Sequence, residues 1–191
     1  MKKLLFIRHG ATAGNLERRY IGCTDEPLCD LGIGQITKQL GKFSAQQVFV
    51  SPMLRTRQTA QLLFPQVRMQ VIEDFRETNF GIFEGKTYGE LSDCPEYRQW
   101  VETGCTGPIP EGESVAQFKQ RCCQAFETVI SQVAQDSTAA LVVHGGVIMA
   151  ILEAYGQPPR DFYSYHIGNG EAIACDLEEK SILNIVKLPV D

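Results

Sequence analysis

Three short apolar runs lie far apart in the sequence, and each is followed at once by polar residues. The runs are LLFI (4–7), the apolar end of QQVFV (46–50), and AALVV (139–143). Continuous apolar runs of this length are typical of strands that are buried on both faces. The segments between them carry the apolar spacing of helices, so strands and helices alternate along the chain. This alternation predicts an α/β fold.

Two helices are predicted in the first third of the chain. In DLGIGQITKQLGKF (30–43), Asp30 is a suitable N-cap, and four apolar residues recur at helical spacing: Leu31, Ile33, Ile36 and Leu40. In SPMLRTRQTAQLLF (51–64), we expect Ser51 as the N-cap and Pro52 at the first helical position.

Two further helices are predicted in the second half. Ser114 and Gln117 match a capping box, and an apolar stripe follows them: Val115, Phe118, Cys122, Phe126, Val129, Ile130 and Val133. The segment VIMAILEAY (147–155) is apolar on nearly every face. Such a pattern is typical of a helix buried in the centre of a protein.

The remaining segments complete the predicted architecture. VRMQVI (67–72) is a third strand, while EAIACDL (171–177) and SILNIVKL (181–188) form a hairpin. Residues 73–112 are expected to be irregular, with one short helix at PEYRQWVE (95–102), and are a candidate lid region. We therefore predict a three-layer sandwich, with helices on both faces of a mostly parallel mixed sheet, in one domain over residues 1–191.

Charge and composition exclude several classes of protein. The net charge of −5 argues against nucleic acid or an acidic membrane as a partner. The start, MKKLLFIRHG, has an apolar run too short for a signal peptide, and no segment approaches the roughly 20 apolar residues of a membrane span. The seven cysteines lack metal-site spacing and are expected to be reduced core residues. We expect a cytoplasmic protein with a small-molecule partner; the sequence does not indicate its oligomeric state.

Polar residues follow three of the predicted strands at the point where each strand ends. The motifs are FIRHG, VFVSPMLRTR and LVVHGG. Because ligands gather at the carboxyl ends of parallel strands, we expect four side chains to converge at one edge of the sheet: Arg8, His9, Arg55 and His144. Both histidines precede glycine, which lets a ligand approach the backbone closely.

These side chains suit a dianionic phosphoryl group. Arg55 lies in the first turn of a predicted helix, where both the helix N-terminus and a guanidinium favour an anion. The alternative, a metal site built on His9 and His144, is disfavoured because the two arginines would repel a cation. A neutral imidazole can instead attack phosphorus and form a covalent intermediate, while arginines neutralise the charge. No metal or other cofactor is therefore expected.

Four blocks resemble the signature of the histidine phosphatase superfamily, which includes the cofactor-dependent phosphoglycerate mutases: RHGATAGN (8–15), SPMLRTRQTA (51–60), FRETNFGIFEG (75–85) and VVHGG (142–146). The resemblance implies a phosphohistidine mechanism with His9 as the nucleophile. It implies that three residues hold the transferring phosphoryl group: Arg8, Arg55 and His144. It also implies that Glu77 is the general acid and assigns three residues to substrate binding: Asn15, Thr24 and Gly145.

The chemistry of the leaving group requires a proton donor. A carboxylic acid can protonate the departing alkoxide and, once ionised, can activate the water that cleaves phosphohistidine. Glu84 is the rival of Glu77 for this role, and we favour Glu77. His166 matches none of the blocks and is expected to be an ordinary surface or lid residue.

Two kinds of enzyme share this signature, mutases and phosphatases. The short segment between Gly85 and His144 leaves little material to shield phosphohistidine from water, which favours a phosphatase. RYIGCTDEPLCDLGIGQ (19–35), YRQW and PEGESVAQFKQR (110–121) resemble the α-ribazole phosphatases of cobalamin assembly. Three aromatic residues are candidates to cover a flat base: Tyr20, Phe80 and Trp100. The alternatives are a broad-specificity sugar-phosphate or nucleotide phosphatase, a phosphoglycerate mutase, and a non-catalytic phospholigand-binding module.

Overall fold

A six-stranded mixed sheet organises the molecule. The computed structural model describes residues 1–189, so the predicted domain (1–191) extends two residues beyond the described part. The strands are β1 (Lys2–Arg8), β2 (Gln47–Val50), β3 (Met69–Val71), β4 (Thr138–Val143), β5 (Ala172–Glu178) and β6 (Ser181–Lys187). Their order is β3-β2-β4-β1-β5-β6; the first four are mutually parallel, β5 is antiparallel to β1, and β6 is antiparallel to β5. The predicted mixed, mostly parallel sheet is confirmed.

Helices connect the strands. They are α1 (Ala13–Leu16), α2 (Asp30–Thr37), α3 (Leu54–Leu63), α4 (Tyr88–Leu91), α5 (Pro95–Glu102), α6 (Val115–Gln132) and α7 (Gly145–Tyr155). Single turns of 3₁₀ helix occur at Glu73–Phe75, Gly81–Phe83 and Phe162–Tyr165. None of the helices in residues 1–189 is long and apolar enough to cross a membrane.

Alternate residues of the central strands face two different helical layers. Phe6 and Leu141 lie in a core that includes the apolar residues of α6 and α7. Their neighbours Ile7 and Val142 point to the other face, where they join the core formed with α2 and α3. This two-residue alternation is inherent to a strand, and it makes the sheet the middle of three layers.

Helix α6 forms as its sequence predicts. The Ser114 side chain accepts a hydrogen bond from Gln117 N, and the Gln117 side chain accepts one from Ser114 N, which completes the capping box. The predicted stripe lies against the sheet, with Val115 partly buried and the other six residues buried. The cap and the apolar face together fix where this helix starts and which side it buries.

The starts of α2 and α3 differ from the prediction. Helix α2 has Cys29, not Asp30, as its N-cap, and three of its four predicted apolar residues are exposed: Leu31, Ile33 and Leu40. Helix α3 begins at Leu54 with Met53 as N-cap, so Ser51 is not the cap and Pro52 is not the first helical residue. The prediction for Ser51 was wrong because its hydroxyl bonds to His144 Nε2 and to Met53 N instead.

The segment 73–112 is more ordered than predicted. It contains α4 as well as the predicted α5, and it has a small core of its own: Phe83, Leu91, Tyr97, Trp100 and Ile109. Tyr20 joins this core, and its hydroxyl lies 2.7 Å from that of Tyr97. The segment is thereby attached to the loop that follows α1, and its role as a lid stays a prediction.

The cysteines are less uniformly buried than expected. Cys122 and Cys175 are buried, Cys23 is exposed, and the other four are intermediate. The expectation of core residues is therefore right for two of the seven. Burial raises the pKa of the Cys122 and Cys175 thiols.

Candidate active site

The carboxyl ends of three adjacent strands bring the predicted polar residues together. Strands β2, β4 and β1 are neighbours, and Arg55, His144 and His9 follow them respectively. The imidazole rings of His9 and His144 lie 5.1 Å apart between centroids, at 68° to each other. All three side chains are buried, and Arg55 and His144 are 0% exposed. The predicted convergence of these residues at one sheet edge is what the structure shows.

The backbone fixes the tautomer of His9. Its Nδ1 lies 2.7 Å from Gly10 O, and a carbonyl oxygen can only accept a hydrogen bond, so Nδ1 carries the proton. In the neutral ring, Nε2 then holds the lone pair. Burial holds the pKa of His9 well below 6.5, and the nearby Arg55 guanidinium lowers it further. His9 is therefore neutral near pH 7, with Nε2 as its basic atom.

Ser51 holds the second histidine. Its Oγ lies 2.7 Å from His144 Nε2 and also accepts a hydrogen bond from Met53 N. The other ring nitrogen, Nδ1, is buried and has no hydrogen-bond partner among the described residues. Burial and the Arg55 guanidinium also hold the pKa of His144 well below 6.5.

Arg55 shapes the loop beside the histidines. Its Nη1 and Nη2 donate to Thr24 O at 2.8 Å and to Gly22 O at 2.9 Å. The amides of the same two residues donate to Glu84 Oε1, at 2.9 Å from Thr24 N and 2.6 Å from Gly22 N. The Arg55 guanidinium thus binds the carbonyl groups of the loop, and the Glu84 carboxylate binds its amides. Thr24 is exposed and takes part in two of these four hydrogen bonds, both through its backbone.

Arg8 is the second cation near the two histidines. Its Nη1 donates to Ile167 O at 2.7 Å, and its side chain lies against the backbone of Gly145 at the start of α7. Burial lowers the pKa of Arg8 and of Arg55, and the carboxylate of Glu77 opposes that shift for both. An arginine stays cationic under such shifts, so two positive charges flank two neutral imidazoles.

Three buried nitrogen atoms of this cluster have no hydrogen-bond partner among the described residues: Arg8 Nε, Arg55 Nε and His144 Nδ1. Buried polar atoms are ordinarily paired, and the two guanidinium Nε atoms can only donate, so this cluster is suited to receive acceptor oxygens. Within residues 1–189, no three His, Cys, Asp or Glu side chains come together as metal ligands would. The arrangement fits an oxyanion with several acceptor oxygens.

The two candidate acids have different surroundings. Glu77 lines the same cavity as Arg8, and its Oε2 accepts a hydrogen bond from Gly146 N at 3.1 Å. Glu84 is engaged by three backbone amides, those of Gly22, Thr24 and Phe80. This geometry favours Glu77 as the group that can reach a ligand and Glu84 as the group that holds the loop.

Asn15 is connected to the backbone of His9 through Asn169, a residue that the sequence did not indicate. Asn169 Nδ2 donates to Asn15 Oδ1 at 3.1 Å and to His9 O at 3.2 Å. Asn15 also completes the capping box of α1 with Thr12. Asn169 lies in the sequence GNG, which indicates only a turn, so no local signal could have marked it.

A cavity of about 350 Å³ opens next to Arg8 and Glu77. All three predicted aromatic residues line it: Tyr20, Phe80 and Trp100. Two more aromatic residues that the sequence did not indicate also line it, Phe162 and Tyr163, whose rings meet edge to face at 5.1 Å between centroids. His166, expected to be an ordinary surface or lid residue, also lines the cavity, and burial lowers its pKa.

The comparison with known proteins agrees with the sequence blocks. The model of the histidine phosphatase superfamily (branch 1) matches residues 4–186. The α-ribazole phosphatase of Shigella flexneri superimposes with a TM-score of 0.82 at 27% identity, over 98% of this chain and 95% of that one. A phosphoglycerate mutase of Thermus thermophilus gives 0.75 at 31% identity, over 99% of both chains. "Probable phosphoglycerate mutase GpmB" of Yersinia enterocolitica is 28% identical over 189 residues, 94% of this chain and 86% of that protein. The chain belongs to the histidine phosphatase superfamily and has its phosphoglycerate mutase-like α/β fold.

Proposed function

We propose that the protein is a metal-independent phosphomonoesterase that acts through a phosphohistidine intermediate and hydrolyses α-ribazole 5′-phosphate. The observation that carries the proposal is the aromatic cavity beside Arg8 and Glu77. The phosphoryl group binds between the two arginines and the two histidines. The rest of the substrate occupies the cavity.

In the first step, His9 Nε2 attacks phosphorus and the ester P–O bond breaks. The fixed proton on Nδ1 and the lowered pKa of His9 keep Nε2 available as a lone pair. Arg8, Arg55 and His144 offset the charge on the phosphoryl oxygens. Glu77 gives its proton to the departing alkoxide, which leaves as the alcohol.

In the second step, water replaces the alcohol and attacks the phosphohistidine. Glu77, now ionised, takes a proton from this water as the N–P bond breaks. Phosphate leaves, and His9 Nε2 regains its lone pair. Asn15, Thr24 and Gly145 complete the binding site around the phosphoryl group, with Asn15 held next to His9 through Asn169.

The lining of the cavity supports a flat, uncharged leaving group. It contains five aromatic side chains: Tyr20, Phe80, Trp100, Phe162 and Tyr163. Among the described residues that line it, Arg8 is the one permanent cation, and Glu77 adds a carboxyl group. The carboxylate of 3-phosphoglycerate would have no second cation to meet there, whereas a benzimidazole-type base can lie against the aromatic rings. This difference favours a phosphatase over a mutase.

A competition assay tests the substrate. With α-ribazole 5′-phosphate and 3-phosphoglycerate present together, we expect kcat/KM to favour the former by about ten- to a hundred-fold, equivalent to about 1.4–3 kcal/mol. A flat profile across phosphomonoesters would leave a broad-specificity phosphatase. Efficient conversion of 3- to 2-phosphoglycerate would establish the mutase instead. Phosphate-ester binding without turnover would indicate a non-catalytic module.

A matched pair of variants tests the cavity itself. Tyr163 is 67% exposed and lines the cavity, whereas Tyr88 is 69% exposed and lies outside its lining. We expect Tyr163→Ala to lower kcat/KM for α-ribazole 5′-phosphate about five- to tenfold while sparing ribose 5-phosphate. Tyr88→Ala should change neither value. A Tyr163→Ala enzyme with an unchanged substrate preference would refute the placement of the base.

A further inference from the structure

A partly buried ion pair contacts the segment that carries Glu77. Its partners, Glu113 and Arg121, belong to the motif PEGESVAQFKQR, whose role the chemistry above leaves open. The two side chains are only 16% and 15% exposed. A pair so shielded from water needs further hydrogen bonds to offset the loss of hydration, and those bonds show what the pair holds.

Arg121 binds the backbone of the segment that ends at Glu77. Its Nη1 donates to Asp74 O at 2.7 Å and to Arg76 O at 2.8 Å, and its Nη2 donates to Glu77 O at 3.0 Å. Three carbonyl groups from four consecutive residues therefore converge on one guanidinium. Only arginine has enough donors in a fixed plane to make these contacts and still pair with a carboxylate.

Glu113 binds the backbone on the other side of the acid. Its Oε1 accepts a hydrogen bond from Asn79 N at 2.8 Å, and its own N donates to Asn79 O at 3.1 Å. The same carboxylate receives Arg121 Nε on Oε2, at 3.0 Å, and Nη2 on Oε1. The two charged groups thus hold the chain from residue 74 to residue 79, with Glu77 between the two points of attachment.

The anchor is rigid because it stands on helix α6. Glu113 directly precedes the capping box at Ser114, and Arg121 lies on the helix with its guanidinium 4.9 Å from the centre of the Phe118 ring. The backbone of Glu77 is therefore fixed to α6, while its carboxyl group reaches Gly146 N on α7. The acid spans two helices that pack on the same face of the sheet.

We infer that Arg121, braced by Glu113, is a positioning residue for the general acid. It sets the place of Glu77 relative to the leaving oxygen and does not touch the substrate itself. The inference rests on the proposed phosphatase function and on Glu77 as the acid. It gives Glu113 and Arg121, the two charged residues of the motif PEGESVAQFKQR that form the ion pair, a role in acid catalysis.

The test compares two substrates on the same preparation. We expect Arg121→Lys to lower kcat/KM for the best alkyl phosphate substrate about 30- to 100-fold and that for p-nitrophenyl phosphate less than about fivefold, because a good leaving group needs little protonation. The ratio of the two values does not depend on the folded fraction of the sample. Glu113→Gln, which keeps one of the two acceptor oxygens and removes the charge, should shift the ratio in the same direction by less.

A control and a double mutant separate positioning from general damage. Arg98 is an exposed arginine that also bonds a carbonyl, Ser92 O, and a carboxylate, Asp93, so Arg98→Lys should leave both values unchanged. In a Glu77→Gln background, Arg121→Lys should cause no further change in the ratio.

Equal losses on both substrates, or a selective loss that persists in the Glu77→Gln background, would refute the positioning role while leaving the phosphatase intact. A wild-type protein that hydrolyses no phosphomonoester would instead refute the proposed function, and the inference with it.

Discussion

Gly146 gives the sharpest test of the position of the acid. It is the second residue of α7, and its N–H donates to Glu77 Oε2. An alanine Cβ at this position would overlap Glu77 Oε1 and would lie 3.2 Å from Glu77 Cδ and 3.1 Å from Phe118 Cζ. Because Gly146 is in the first turn of a helix whose next six residues are buried, the carboxyl group of Glu77 must move and not the helix.

The size of the effect follows from this geometry. The carboxyl group must withdraw by about 1 Å to reach ordinary van der Waals distance, and a displacement of that size costs roughly a hundredfold in rate. Losing the hydrogen bond between Gly146 N and the carboxylate lowers the free energy of unfolding by about 1.5–3 kcal/mol. Replacing glycine by alanine inside a helix raises it by about 0.5–1 kcal/mol. We therefore expect Gly146→Ala to be destabilised by about 1–2 kcal/mol.

Kinetics on an alkyl and an aryl phosphate provide the assay. For Gly146→Ala, kcat/KM for the alkyl substrate should fall about a hundredfold, and that for p-nitrophenyl phosphate less than about tenfold. The matched control is Gly34→Ala in α2, where nothing lies within 4 Å of the added Cβ; it should keep full activity and gain about 0.4–1 kcal/mol of stability. A Gly146→Ala enzyme with wild-type kinetics, or with equal losses on both substrates, would show that the acid does not act from the position of Glu77.

Three further predictions concern the phosphoryl site. His9→Ala should abolish turnover and the acid-labile phosphoenzyme seen in quench-flow with labelled substrate, whereas His144→Ala should retain about a hundredth to a thousandth of the activity; label on any residue other than His9 would contradict the mechanism. Burial and Arg55 depress the pKa of both histidines below 6.5, so the unfolded chain takes up protons first as the pH falls. Stability is therefore complete above about pH 6.5 and is lost below it, and a melting temperature that stays flat from pH 8 to pH 5 would exclude this linkage. Activity should survive EDTA, since Arg8 and Arg55 supply the positive charge; loss on chelation and recovery with one divalent ion would overturn that assignment.

Local signals account for the parts of the fold that the sequence predicted. The capping box at Ser114 and the apolar residues behind it depend on contacts within a few residues, so α6 could be placed to its first residue. Ser51 carries an equally good local signal for an N-cap, yet its hydroxyl bonds to His144, a residue 93 positions away. The sequence does not show when a distant residue competes with the helix N-terminus for the hydroxyl of a candidate N-cap.

The same distinction applies to the candidate site. His9, Arg55 and His144 follow strands, and the topology of a parallel sheet brings strand ends together. Phe162 and Tyr163 lie in the connection between α7 and β5, where no periodicity or motif indicates which way the chain turns. Their place in the cavity depends on how that connection packs against α7, which only the folded structure reveals.

The position of β1 in the middle of the sheet also determines when a new protein molecule can become active. Strand β1 pairs with β4 on one side and β5 on the other, so both of its edges lack their partners until Thr138–Val143 and Ala172–Glu178 have been synthesised. At about 5–20 residues per second, the later of these strands follows His9 by roughly 10–30 s. During that time the apolar residues of β1 lack the strands that pair with it, and folding depends on contacts between residues far apart in sequence, which form slowly. His9 is thus synthesised early, but the sheet around it is completed late, and the interval between the two is the period when this chain is most exposed to aggregation.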